Sequence, residues 1–175
     1  TATKNYISHF NPKFLFFSGG SQYQFNIPNF YLLSYFFIPF FILGIYWLFK
    51  DKKYIFLYFL FISPIPSAIT RDAPHTLRSI IFVYLSTLVI AYAFYKLKSK
   101  ICFFTFILII IISQIQFWPK YFAYSKTYSQ SWQYGYKEAI SYIKENQNNY
   151  KQIFISKKYG EPHEFLLFYL PYNPE

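Results

Sequence analysis

The sequence has little charge, one cysteine and no methionine, and each shortage excludes something. Charged residues make up 14% of its 175 residues, roughly half the share of an ordinary soluble domain. A soluble surface would need more charge, so the composition favours helices that face lipid. The single cysteine, Cys102, excludes a disulfide framework and a cysteine-ligated metal cluster. Because the chain starts at Thr1 and contains no methionine, we expect it to be a fragment of a longer protein.

Aliphatic and aromatic residues instead fill four long apolar runs. A membrane-spanning helix needs about 20 mostly apolar residues, because the hydrocarbon core is about 30 Å thick and each residue rises about 1.5 Å. Irregular backbone in lipid would leave polar groups without partners, so these runs should be helical. The second run is short, and Pro64-Ile-Pro66 should break its helix. The predicted transmembrane helices cover about 30–49, 54–66, 77–95 and 101–118.

The net charge of +10 indicates topology. Lysines crowd into two short turns between apolar runs, Lys50–Lys53 and Lys96–Lys100, instead of forming one basic face, so no nucleic-acid partner is expected. Short lysine-rich loops are cytoplasmic. Residues 1–28 are therefore predicted to form an extracytoplasmic loop, 29–118 a transmembrane domain, and 119–175 an extracytoplasmic tail.

The tail has a different pattern. Ser129 to about Asn146 has apolar residues at helical spacing, Gln152–Ser156 is typical of a strand, and Lys157–Gly160 is a turn. Pro162 suits the first turn of another helix, which should end near Tyr169. The predicted fold is thus an all-α polytopic membrane domain with four transmembrane helices, followed by a small extracytoplasmic α/β unit. We expect this unit to be truncated and marginally stable alone.

The loop before the third run concentrates the charges most suited to chemistry. Arg71, Asp72, His75 and Arg78 lie between two spans, where charges are costly and usually functional. Asp72 could cap the third helix, and the other three would then share one helix face. Two guanidinium groups beside a helix N-terminus predict a phosphate site. The alternative is structural: Asp72 caps the helix, Arg78 pairs with it, and His75 is a buried interface histidine.

Other candidate residues are weaker. His9 and His163 are isolated, no two histidines have metal-ligand spacing, and no metal site is predicted. Tyr159, Glu161 and His163 follow the predicted strand, where α/β sheets place ligands. They are therefore candidates for an acceptor site, and the alternative is a turn followed by the start of a helix.

Four segments resemble the C-terminal half of bacterial membrane glycosyltransferases of the dolichyl-phosphate-mannose–protein mannosyltransferase-like group, which has the GT-C fold. They are Asn5–Phe17, Pro64–Arg78, Trp132–Tyr136 and Tyr159–His163. The resemblance implies a multi-pass enzyme of the bacterial inner membrane that takes a sugar from a polyprenyl-phosphate donor at the outer face. Its catalytic carboxylate would precede Thr1.

The resemblance also bears on individual residues. It implies that Arg71, His75 and Arg78 bind the phosphate of the sugar donor and that Asp72 organises them. Residues 18–26 lack the acidic and basic residues that the family tends to have there, so no donor contact is assigned to them. Sugar, acceptor and metal dependence stay open. Two rival functions are a transporter or flippase of lipid-linked sugars and a non-catalytic membrane scaffold.

Overall fold

The computed structural model describes residues 2–170, apart from the side chain of Tyr159, and most of these residues are helical. The chain divides into two compact units, Thr1–Ala123 and Tyr124–Glu175. A π-helical turn covers Phe14–Ser18, and 3₁₀ turns cover Tyr35–Phe37, Ser129–Trp132, Gln147–Asn149 and Lys157–Tyr159. The α-helices are α1 (Ala2–His9), α2 (Ile38–Lys50), α3 (Tyr54–Ile62), α4 (Ile65–Ala68), α5 (Ile80–Leu97), α6 (Lys100–Thr127), α7 (Tyr136–Asn146) and α8 (Pro162–Tyr169).

Two of the described helices, α5 and α6, are long and apolar enough to cross a membrane. Length and composition alone would also fit the core helix of a soluble protein, but such a helix is mostly buried. Here 28% of the most apolar stretch of α5 and 6% of that of α6 is buried. The exposed apolar surface of these helices therefore favours a membrane protein.

The prediction of four transmembrane helices is wrong, because in the described part of the chain only two helices reach that length. The first residues of the first predicted helix, 30–49, are not helical, because they make a long-range backbone contact instead. The backbone N–H groups of Leu32 and Leu33 donate to the carbonyl oxygen of Leu15, at 3.1 and 2.8 Å. This stretch thus satisfies its backbone elsewhere, and helical structure begins only at Tyr35.

The predicted break in the second run is confirmed. The helix α3 ends at Ile62, two residues before Pro64, and α4 adds only four residues. At about 1.5 Å per residue, the nine residues of α3 extend about 14 Å, roughly half the thickness of the hydrocarbon core.

The fourth predicted helix is longer than expected. Its prediction ended at Trp118, where the apolar run ends and Pro119 follows. The structure instead continues α6 through Pro119 to Thr127. One missing hydrogen bond is therefore not enough to end this helix.

The predicted α/β unit is also wrong, since the described residues contain no strand. The segment 152–156 has no partner strand among them, and Phe154 is 89% exposed. A strand needs backbone partners, which local sequence cannot supply. The predicted amphipathic helix is divided by left-handed backbone at Gln133 and Gly135. The helix predicted from Pro162 to Tyr169 is confirmed.

Close packing of α2 against α5 forms the core of the first unit. Phe40 stacks on Phe94 with ring centroids 4.0 Å apart, and Phe82 and Ile90 are almost completely buried. Gly44 permits the close approach, because a Cβ there would lie 2.1 Å from the carbonyl oxygen of Val89. This packing fixes α5, whose two ends carry the charged clusters described next.

Candidate functional site

The predicted phosphate-binding residues lie in the segment 69–79, between α4 and α5, which we call the arginine loop. Arg71, Asp72 and Arg78 are exposed, whereas His75 is buried. The guanidinium Nη1 of Arg78 donates a hydrogen bond to the backbone carbonyl of Arg71 at 2.9 Å. The loop therefore brings the two arginines together through this contact.

The predicted helical arrangement of these residues is wrong. The helix α5 begins at Ile80 with Ser79 as its N-cap residue, so Asp72 does not cap it. Asp72 instead has a positive φ of 62°, a left-handed conformation that Asp tolerates better than most residues. The arginines are thus neighbours on a turn-rich loop and do not share a helix face.

The alternative ion pair between Asp72 and Arg78 is not formed either. Among the salt bridges of residues 2–170, none joins these two side chains. Both are exposed, so water solvates their charges at little cost. The two guanidinium groups therefore keep donors that can bind an anion bidentately.

Hydrogen bonds among buried polar groups connect the arginine loop to the helices before it. The Nδ1 atom of His9 lies 2.8 Å from the carbonyl oxygen of Asn5, and its Nε2 lies 2.9 Å from Oγ of Ser67. A carbonyl can only accept, so Nδ1 carries the proton and Nε2 accepts from the Ser67 hydroxyl. The Ser67 oxygen in turn accepts from the backbone N–H of His75 at 3.4 Å. This chain of contacts ties α1 and α4 to the arginine loop.

Both histidines of this network favour the neutral form. Burial lowers the pKa of His9, and hydrogen bonds to backbone carbonyls only partly oppose it. Burial, and next the positive charge of Arg78, lower the pKa of His75. The Nδ1 atom of His75 also faces the backbone N–H of Arg78 at 3.5 Å, as an acceptor. His75 therefore orients the loop from inside and does not present a charge to a ligand.

Residues 18–26 cover the arginine loop from the other side. The backbone N–H of Gly20 donates to Oγ1 of Thr76 at 3.0 Å, and Nε2 of Gln22 donates to the carbonyl of Asp72 at 3.0 Å. A Cβ on Gly20 would lie 2.6 Å from the Thr76 hydroxyl oxygen, so a larger residue there would displace the Thr76 side chain. The absence of charge in this stretch is thus compatible with a supporting role.

Sequence reasoning missed His9 and Ser67, and it treated His9 as isolated. The two residues lie 58 positions apart, so no local spacing could join them. The available signal was that each falls within a segment that carries the family resemblance.

The acceptor-side candidates lie in the second unit. Glu161 and His163 are exposed, and Oε2 of Glu161 lies 3.4 Å from Nζ of Lys157 and 3.5 Å from Nδ1 of His163. The structure brings these two candidates together at the start of α8, and no described strand precedes them. The side chain of Tyr159 lies outside the described residues.

The opposite end of α5 carries a second charged cluster. Nζ of Lys96 lies 2.8 Å from Oδ2 of Asp51, and the hydroxyl of Tyr92 donates to the same oxygen. The hydrogen bond from Lys96, and then that from Tyr92, lower the pKa of Asp51. The structure therefore brings the two lysine-rich turns to one end of the helix; their cytoplasmic location stays a prediction.

No described residues suggest a metal centre. Over residues 2–170, no three His, Cys, Asp or Glu side chains are grouped to hold a metal ion. Comparison with protein families, curated proteins and solved structures finds no match for this chain.

Proposed function

We propose that this chain is part of an integral membrane glycosyltransferase and contributes the site for the phosphate of a polyprenyl-phosphate sugar donor. The observation that carries the proposal is the arginine loop. Arg71 and Arg78 are exposed, joined by a hydrogen bond, and located immediately before the N-terminus of a helix able to cross a membrane. The ends of a membrane-crossing helix lie near the lipid headgroups, so two guanidinium groups next to such an end would suit the charge and geometry of a lipid phosphate.

The side of the membrane that the arginine loop faces can be inferred from the opposite end of α5. The lysine-rich turns meet there, and short lysine-rich loops stay in the cytoplasm. The arginine loop would then face the extracytoplasmic side, where the donor's phosphate meets its acceptor. We expect the catalytic base that activates the acceptor hydroxyl to be a carboxylate.

Binding of a polyprenyl monophosphate to the chain in nanodiscs tests the proposal. Arg78→Ala should weaken binding roughly ten- to hundredfold, because it removes a charge-assisted contact worth about 1.5–3 kcal/mol. Arg78→Lys should restore binding only partly, since an ammonium group lacks the planar fork. Lys100→Ala is the matched control, because it removes an exposed cation beyond the opposite end of α5.

Near-normal binding by Arg78→Ala would leave the arginine loop without a role in donor recognition. Sugar transfer separates the rival functions. Membranes that bind the lipid through Arg78 and move it across the bilayer without transferring sugar would favour a transporter. Failure to bind any polyprenyl phosphate would favour a scaffold.

A further inference from the structure

A groove lies at the lysine end of α5, away from the arginine loop. It has a volume of about 390 Å³, within the range of about 300–1,000 Å³ that small-ligand sites occupy. The C-terminal part of α2 and the start of α3 form one wall, and the second half of α5 forms the other. Its lining includes Leu48, Lys53, Phe56, Leu88, Ala91 and Tyr95.

The chemistry of the groove changes along its length. Leu48 is buried, whereas Phe56 and Leu88 are more than a third exposed, so the groove offers apolar surface along a helix that faces lipid. The same lining includes Lys53 and the rings of Tyr92 and Tyr95. Tyrosine is enriched where a membrane meets water, and lysine there meets lipid headgroups.

The turn beside the groove carries a net positive charge. Asp51 is the acidic residue of the two turns, and Lys96 and Tyr92 already bind its carboxylate. None of the salt bridges found within residues 2–170 involves Lys53. The positive charge of Lys53 also acts on Asp51, but one carboxylate cannot offset Lys96 and the three lysines of this turn, so the local field stays positive.

We infer that this groove binds one anionic phospholipid, with an acyl chain against the apolar wall and its phosphate at Lys53. The apolar wall suits an acyl chain better than a small soluble anion, and the net positive charge of the turn favours a lipid of net negative charge over a zwitterionic one. This site is independent of the proposed sugar-donor site, which lies at the other end of α5.

Native mass spectrometry of the detergent-purified chain tests the inference, with phosphatidylglycerol and phosphatidylcholine as probes. Phosphatidylglycerol should be retained preferentially. Lys53→Gln should weaken its retention about fivefold, the usual contribution of one lysine near an anionic membrane surface. Lys50→Gln is the matched control: it removes the same charge from the same turn, but Lys50 does not line the groove.

A second variant tests the acyl chain. Ala91 is exposed on the groove wall, so Ala91→Phe should fill the groove and reduce retention of both lipids without disturbing the fold. Equal retention of the two lipids by the unmodified chain would overturn the inference. So would an equal loss from Lys50→Gln and Lys53→Gln, which would indicate a diffuse surface charge, or unchanged retention by Ala91→Phe.

Discussion

The two ends of α5 carry similar residue types but use them differently. At the lysine end, Asp51 is paired with Lys96 and Tyr92. At the arginine end, Asp72 and Arg78 are close in sequence, yet no described salt bridge joins them. Asp51 thus forms an ion pair with a nearby lysine, whereas Asp72 forms none with Arg78.

The supports beneath the two clusters differ as well. The arginine loop rests on a buried neutral network, in which His9 and Ser67 are both fully buried. The lysine end rests on a partly exposed ion pair, whose side chains are 29% and 25% exposed. The difference teaches that the arginine loop is held by hydrogen bonds to its backbone, which leaves its cationic side chains available to a ligand.

The largest expected effect comes from loosening the helix that both ends share. Gly44→Val should destabilise the fold by about 3 kcal/mol or more, because its Cβ would lie 2.1 Å from a backbone oxygen of α5. Thermal unfolding in detergent measures this loss of stability. The charged clusters at the two ends of α5 should lose their structure in the same transition. Ala91→Val, on the exposed side of α5, is the control and should change little. A stable Gly44→Val would mean that α2 does not hold α5.

A more selective break removes the support of one end. Ser67→Ala leaves Nε2 of His9 and the N–H of His75 without their partner, at a cost of about 1–3 kcal/mol. Hydrogen exchange should accelerate in the arginine loop and stay unchanged around Asp51. The control is Ser63→Ala, whose hydroxyl donates to the carbonyl of Leu60 in the adjoining helix α3. Equal acceleration at both ends would contradict the separate roles.

Acidification should also affect one end more than the other. Burial lowers the pKa values of His9 and His75, so the unfolded chain binds more protons than the folded chain at mildly acidic pH. Their contribution to stability is present above the ordinary histidine pKa of about 6.5 and is lost as pH falls towards the lowered values. The melting temperature should therefore decrease as the pH is lowered from about 7.5 to about 5.5.

A matched variant identifies the source of this pH dependence. His9→Gln should flatten the slope of stability against pH even if it lowers stability at every pH. A slope that His9→Gln leaves unchanged would exclude His9 as its source.

The sequence predicts those features that depend on local residue patterns. The apolar runs located α5 and α6, Pro64 located the end of α3, and Pro162 the start of α8. In each case a long apolar stretch or a missing backbone N–H decides the local structure.

Features that depend on distant partners could not be predicted. The stretch before Tyr35 is not helical because Leu32 and Leu33 bond to Leu15. The contact of His9 with Ser67 joins residues 58 positions apart. The strand expected at 152–156 is absent because the described residues offer it no partner. The helical geometry predicted for the arginine loop is wrong, because α5 begins only at Ile80.

The smallest expected effect is at the lysine end, and it completes the comparison. Asp51→Asn removes the ion pair with Lys96, but this pair is partly exposed and screened by salt, so its loss should lower the melting temperature less than Ser67→Ala does. The lowered pKa of Asp51 stabilises the fold above the usual aspartate value of 3.8, and this contribution disappears only as pH falls below it. Asp51→Asn should therefore cost the same at pH values near 7.5 and 5.5, and less at high salt. A cost that changes across that interval would mean that the lysine end also responds to mild acid, and the two ends of α5 would then not differ as the structure indicates.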